Sequence, residues 1–329
     1  MPRATGYAIL AALLAAALLL SLRVGAVGMS TADVLAALRG EGDPVHVTIV
    51  RTLRLPRAFA AALVGAALAV SGAVFQALLR NPLADPYVLG VSGGAAAGAV
   101  LAVMLGWALA AAWAVPVAAF VGAATAVALV FRIAFAVGRT LDARVLLLSG
   151  VVVGAFFNAA VLMLLTLADV ESYRSAMFWL MGSLAGATAR EALLLATYLL
   201  PAMVVLAGLA RALNLFSLGE EPAAYLGARV GRVKLIGFGV ASLLAAAAVA
   251  ASGVIGFVGL VVPHAVRMVW GADHEFLLPA SALLGAAFLV FVDTGARTIA
   301  APAELPIGVV TALLGVPFFV YLLRRRGGV

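Results

Sequence analysis

Apolar runs of membrane-spanning length recur from one end of this chain to the other, with only short loops between them. A bilayer core about 30 Å thick is crossed by about 20 apolar residues in a helix. Backbone in hydrocarbon must satisfy its own hydrogen bonds, which leaves runs of this length no other regular form there. The runs predict about ten spans, near 6–27, 55–79, 88–106, 113–137, 144–168, 190–212, 232–252, 254–270, 277–298 and 306–324. The chain is 66% hydrophobic and 11% charged, with mean hydropathy +1.20, where a soluble domain is about 45–50% apolar and about 25% charged. A water-soluble globular domain, a disordered tail protein, a coiled coil and a nucleic-acid binder are thereby excluded. The fold class is all-α, a polytopic membrane protein with a single transmembrane domain over residues 1–329 and membrane lipid as its solvent. A short amphipathic piece, 173–183, is expected outside the bilayer. The first span follows Arg3 and resembles a signal peptide, but the spans after it favour an uncleaved first helix.

Loop charge sets the orientation. The net charge of +7 resides in loops, and cytoplasmic loops of membrane proteins collect Lys and Arg. With the N-terminus inside, the inner side carries 13 of the 21 Lys and Arg, among them Arg139, Lys234 and Arg324 to Arg326, leaving eight outside. Both termini are then cytoplasmic, as an even number of spans requires. Trp107 and Trp113 flank one outer loop, where interfacial anchors belong.

The 34 glycines suit close helix packing. Gly94-x-x-x-Gly98 and Gly182-x-x-x-Gly186 are candidate contact faces. A weak repeat relates Ala69, Ser71, Gly72 and Pro82 to Ala250, Ser252, Gly253 and Pro263, and the two copies would cross the membrane in opposite directions, an inverted arrangement known in transporters.

No catalytic constellation stands out, and the expectation is a chain that is not an enzyme. His46, His264 and His274 lack the thiolates or matched carboxylates of a metal site, and the absence of Cys rules out disulfides, zinc-thiolate and iron–sulfur centres on this chain. Asp293 lies inside the ninth span, and Arg297, four residues on, is its expected partner. A P-loop needs Gly-x-x-x-x-Gly-Lys-Ser/Thr, and the sole lysine, Lys234, stands in no such setting. No cofactor is expected on this chain. If ATP drives it, ATP and Mg belong to a partner.

Two inner loops carry more information. In 218–231, Glu220 and Glu221 place negative charge where a helix would begin, Pro222 suits its first turn, and Gly227 suits a left-handed cap at its end. This predicts a helix of one to two turns between two spans. After the second span, Asn81-Pro82 and Asp85-Pro86 initiate turns.

Arg54-Leu55-Pro56-Arg57, Asn81-Pro82-Leu83-Ala84-Asp85-Pro86, Phe178-Trp179-Leu180-Met181-Gly182-Ser183, the stretch from Ser252-Gly253 to Pro263-His264, and Glu304-Leu305-Pro306-Ile307-Gly308 resemble the permease subunits of the iron-siderophore, haem and vitamin B12 ABC importers, the vitamin B12 branch most of all. The resemblance covers nearly the whole chain. It implies a permease of ten helices in the bacterial inner membrane, paired with a second copy of itself or a close homologue. Two ABC ATPase subunits would sit below it and a periplasmic substrate-binding protein would dock above. It also implies residue roles. Arg54, Arg57 and Arg297 match docking arginines for the binding protein. Glu220, Glu221, Ala224 and Gly227 match the ATPase-coupling region. Asn81 and Leu83 match an inner gate, and Asp142 and Ala143 hold the second gate position after Thr140, in a stretch that departs from the vitamin B12 pattern. Two other classes compete: an ion-coupled secondary transporter, for which Asn158 and Thr166 are the candidate cage residues, and a membrane-embedded enzyme, which would want clustered acids or His at one interface.

Overall fold

The computed structural model describes residues 2–137 and 141–326, the last six by backbone alone. Arg139 and Thr140, and the side chains of Arg324, Arg325 and Arg326, lie outside the description. The described residues form helices without strands, in the order α1 (Arg3–Arg23), α2 (Thr31–Arg39), α3 (Pro44–Thr48), α4 (Leu55–Leu78), α5 (Val91–Met104), α6 (Trp107–Ala110), α7 (Ala114–Val137), α8 (Ala143–Leu167), α9 (Val170–Leu180), α10 (Ala189–Gly208), α11 (Ala210–Phe216), α12 (Glu220–Tyr225), α13 (Val230–Ser252), α14 (Val258–Trp270), α15 (His274–Ala296) and α16 (Ile307–Arg326). A π-helical stretch, Ile49–Arg54, joins α3 to α4, and a 3₁₀ turn, Pro86–Leu89, leads into α5.

Each apolar run predicted from the sequence overlaps a helix, with 190–212 divided between α10 and α11. Among the described residues, seven helices are long and apolar enough to cross a membrane, counting 44–78 as one, and Val91–Met104, Val258–Trp270 and Ile307–Val320 are shorter apolar helices. Helices α2 and α3 fall in what the sequence left as loop, because they are too short and too polar to register as spans. Local chemistry begins them. Ser30 and Asp33 form a capping box at α2, and Asp43 caps α3. Thr188 with Glu191, Asp142, Asp169 and Asp273 do the same for α10, α8, α9 and α15. Many of the few carboxylates therefore serve as helix caps.

Helix α4 is the central element, packed by α15, α13, α14 and α10. Small residues permit this. A Cβ added at Gly65 would stand 2.2 Å from the carbonyl oxygen of Gly285 on α15. The Gly94/Gly98 pair is a packing face as expected, against Gly122 and Ala118 of α7. The Gly182/Gly186 pair is not a helix face: Gly182 occupies a left-handed turn beyond α9, where an added Cβ would stand 2.7 Å from Val254 O, and a Cβ added at Gly186 would meet nothing within 4 Å. The matched residues of the sequence repeat occupy different local settings. Ser71 and Gly72 lie inside α4, whereas Ser252 ends α13 and Gly253 breaks it with φ 67°. Pro82 is in a loop and Pro263 is inside α14.

Candidate functional site

The 218–231 loop folds as predicted. Glu220–Tyr225 is helical, and Gly227 is left-handed with φ 91°. The Gly227 amide donates to Ala224 O at 2.9 Å and the Ala228 amide to Ala223 O at 2.9 Å. These two bonds form a Schellman motif, which satisfies carbonyls that the helix end would leave bare. Ala223 points inward, fully buried, while Glu221, Ala224, Tyr225 and Leu226 face out. Tyr225 is 91% exposed, and Leu218 and Leu226 join it in an apolar surface that the sequence alone did not single out.

Glu220 turns away from that surface. Its carboxylate accepts from Lys234 Nζ at 2.5 Å, and the same ammonium donates to the carbonyl of Leu141 at 2.8 Å. The neighbouring residue Asp142 caps α8 through the amides of Arg144 and Val145, and those bonds hold its carboxyl below the usual range. Ala143 is the first residue of α8. On the opposite flank, α4 ends in a second Schellman motif, with the amide of Arg80 donating to Ala77 O and that of Asn81 to Gln76 O. Arg80 takes the left-handed position, φ 48°, and its guanidinium lies 3.6 Å from where a Cβ on Gly219 would stand. Asn81 Oδ1 then accepts from the Leu83 amide at 2.9 Å. The structure thus places 80–83, 141–143 and the start of α12 side by side. Asp85 caps the 3₁₀ turn, and burial pushes its carboxyl up to about 6 against the hydrogen bond from Tyr87.

The other end of the bundle gathers the three arginines. Arg54 is buried and donates to Leu22 O at 2.7 Å, Arg23 O at 3.2 Å and Val27 O at 2.5 Å. Arg297 donates to Ser21 O and to Ser21 Oγ. Both guanidiniums therefore bind the carbonyl end of α1, where a cation also meets the negative end of the helix dipole. Arg57 grips Asp293 through Nε and Nη2, at 2.9–3.1 Å, and its Nη1 reaches Glu304. Here a sequence expectation is corrected. The hydrogen-bonded partner of Asp293 is Arg57 on α4, not Arg297. A bidentate grip across two packed helices outcompetes the next turn of its own helix.

Asn158 is exposed on α8, and Thr166, about two turns further along the same helix, bonds back to Leu162 O. No cluster of three or more metal-ligating side chains occurs among the described residues.

The model of the FecCD transport family matches residues 13–325. The chain belongs to the FecCD transport family. It is 49% identical over 282 residues to a cobalamin import system permease protein of Halobacterium salinarum, covering 84% of this chain and 74% of that one. It is 43% identical over 281 residues to a hemin transport system permease protein of Yersinia pestis, covering 83% and 82%. A solved metal-chelate type ABC transporter in an inward-facing conformation shares its fold with TM-score 0.86 and 35% identity, over 96% of this chain and 97% of that one. This FecCD chain is accordingly an ABC transporter permease, a multi-pass membrane protein of a family of transport subunits rather than enzymes.

Proposed function

We propose that this permease has ten spans in the bacterial inner membrane, with both termini in the cytoplasm, and carries a large metal chelate — a ferric siderophore, haem or a cobalamin — by alternating access. Two copies, or this chain and a close homologue, form the passage. Two separate ATPase subunits hold ATP and Mg, and a periplasmic binding protein delivers the cargo. The observation that carries this reading is α12: a short helix, capped at its end, that presents Tyr225, Leu226 and Ala224 outward from a loop between two apolar helices. An exposed apolar surface of this kind marks an interaction site. Glu221 and Ala224 would meet the ATPase, Glu220 and Gly227 would hold the helix in place, and Asn81, Leu83, Asp142 and Ala143 would form the gate beside it. ATP-driven motion of α12 would then bias the permease between two states.

Arg54, Arg57 and Arg297 are proposed to lie under the binding-protein dock. Each already has internal partners, so a docking carboxylate would have to exchange with one of them. Glu304, 44% exposed at its side chain, is the one within reach of solvent. The test is to reconstitute the chain with its genomically adjacent ATPase in nanodiscs and to measure ATP turnover with and without loaded binding protein. Stimulation by the loaded binding protein is expected. A chain that purifies without any ATPase and moves cargo on an ion gradient would overturn the reading.

A further inference from the structure

Lys234 is the only lysine in the chain, and its position has a cost. It is 3% exposed, at the start of α13, and a buried ammonium is tolerated only when paired and hydrogen-bonded. Its two partners come from different segments. Glu220 Oε2 at 2.5 Å belongs to the first residue of α12, and Leu141 O at 2.8 Å belongs to the loop that enters α8. Asp142 adds a second carboxylate within electrostatic reach. One ammonium thus joins three segments of the chain, α12, the 141–142 segment and α13, and among the described residues no other hydrogen bond joins α12 to 141–142.

We propose that Lys234 is a positioning residue that ties the coupling helix to the loop entering α8, so that displacement of α12 carries residues 141–143 with it. This rests on the importer reading above and adds the residue through which the motion passes to the gate. Charge neutralisation of Glu220 alone would not need the second bond to a backbone carbonyl of another segment. A lysine serves here because its ammonium is a compact centre with three donors that can be shared between two segments.

The decisive variant is the pair K234M/E220Q. It removes the tie but leaves no unpaired buried charge, which is what makes loss of one partner of a buried ion pair so costly to the fold. A role confined to charge balance predicts full transport in this pair. The tie predicts that cargo moved per ATP hydrolysed falls roughly two- to thirtyfold, the range over which residues along a coupling route act. K234R, which keeps the charge and several donors, is expected to retain most of the coupling. The chain has no cysteine, so spin labels can be introduced at the exposed positions Pro222 and Arg144, neither of which is assigned to the ATPase contact. In the assembled wild-type importer their separation is expected to stay constant between nucleotide-free and ATP-trapped states, and in K234M/E220Q to broaden. Wild-type cargo-to-ATP ratio and label distances in the double variant would overturn the tie while leaving the importer reading intact. A wild-type chain that takes up no ATPase would overturn the importer reading and this proposal together.

Discussion

At one end of the bundle, Arg54, Arg57 and Arg297 spend their donors inside the chain, on the last carbonyls of α1 and on Asp293 and Glu304. At the other end a single buried lysine is shared between two segments, and the helix beside it turns Tyr225 and Leu226 to the outside. The first end is built to be rigid: its cations bind backbone carbonyls and a buried carboxylate. The second presents a surface on a short helix held by one shared ammonium and a Schellman cap. A stiff end and a tethered, outward-facing end suit a permease whose motion begins at α12.

The comparison breaks most visibly at Arg57 and Asp293, whose side chains are 11% and 1% exposed. Asp293→Ala leaves Arg57 buried with only Glu304, and is expected to cost about 3–5 kcal/mol, whereas the apolar pair R57M/D293L should be close to neutral. Thermal unfolding in detergent checks this, and a D293A protein as stable as wild type would mean that the arginine end is not held by this pair.

A smaller effect belongs to the α12 end. A Cβ at Gly227 would meet no atom within 4 Å, so the cost of Gly227→Val is chiefly that of forcing a β-branched residue to φ 91°, about 1–2 kcal/mol. Because the cap is, among the described residues, one of only two ties that hold α12, transport should fall well before the fold does. Uptake and unfolding temperature measured on the same preparation separate the two.

Smaller still is the pH response of Asp85. Its carboxyl titrates near 6 in the fold against an ordinary 3.8, so the protonated form is favoured there. The associated stability is present below about pH 4 and is lost as pH rises through about 6. Asp85 is partly accessible, so about 1 kcal/mol is expected after solvent screening. Asp85→Asn keeps a capping oxygen and should abolish that slope between pH 4 and 6 in unfolding scans. An unchanged slope would place the titration elsewhere.

The least effect, on the proposed dock, is that of Glu304→Gln. It frees one face of Arg57 and should tighten the binding protein by less than about 1 kcal/mol, more at low salt. Affinity at two ionic strengths tests this, and a weakened complex would show that Glu304 is itself part of the docking surface.

The positions of the long helices were legible because twenty apolar residues in a row leave a chain little choice in a bilayer. The α12 cap was legible for a similar reason: Gly227 and the acidic first turn are local chemistry, complete within ten residues. The Gly94/Gly98 face could be read because its small residues recur one helical turn apart. Those signals depend on neighbours in sequence. The partner of Asp293 was misread because the sequence offers Arg297 on the same helix, while packing of α4 on α15 brings Arg57 closer and in better geometry. Lys234 carried no local signal beyond being the only lysine. Its meaning comes from Glu220 and Leu141, 14 and 93 residues away, which meet only when α8, α12 and α13 have packed. Hydrophobic length and backbone conformation are properties of a segment and were determined by the sequence itself. Which charge answers which is decided where helices cross, because a buried ion takes the nearest well-aligned partner, and only the tertiary structure determines what is near.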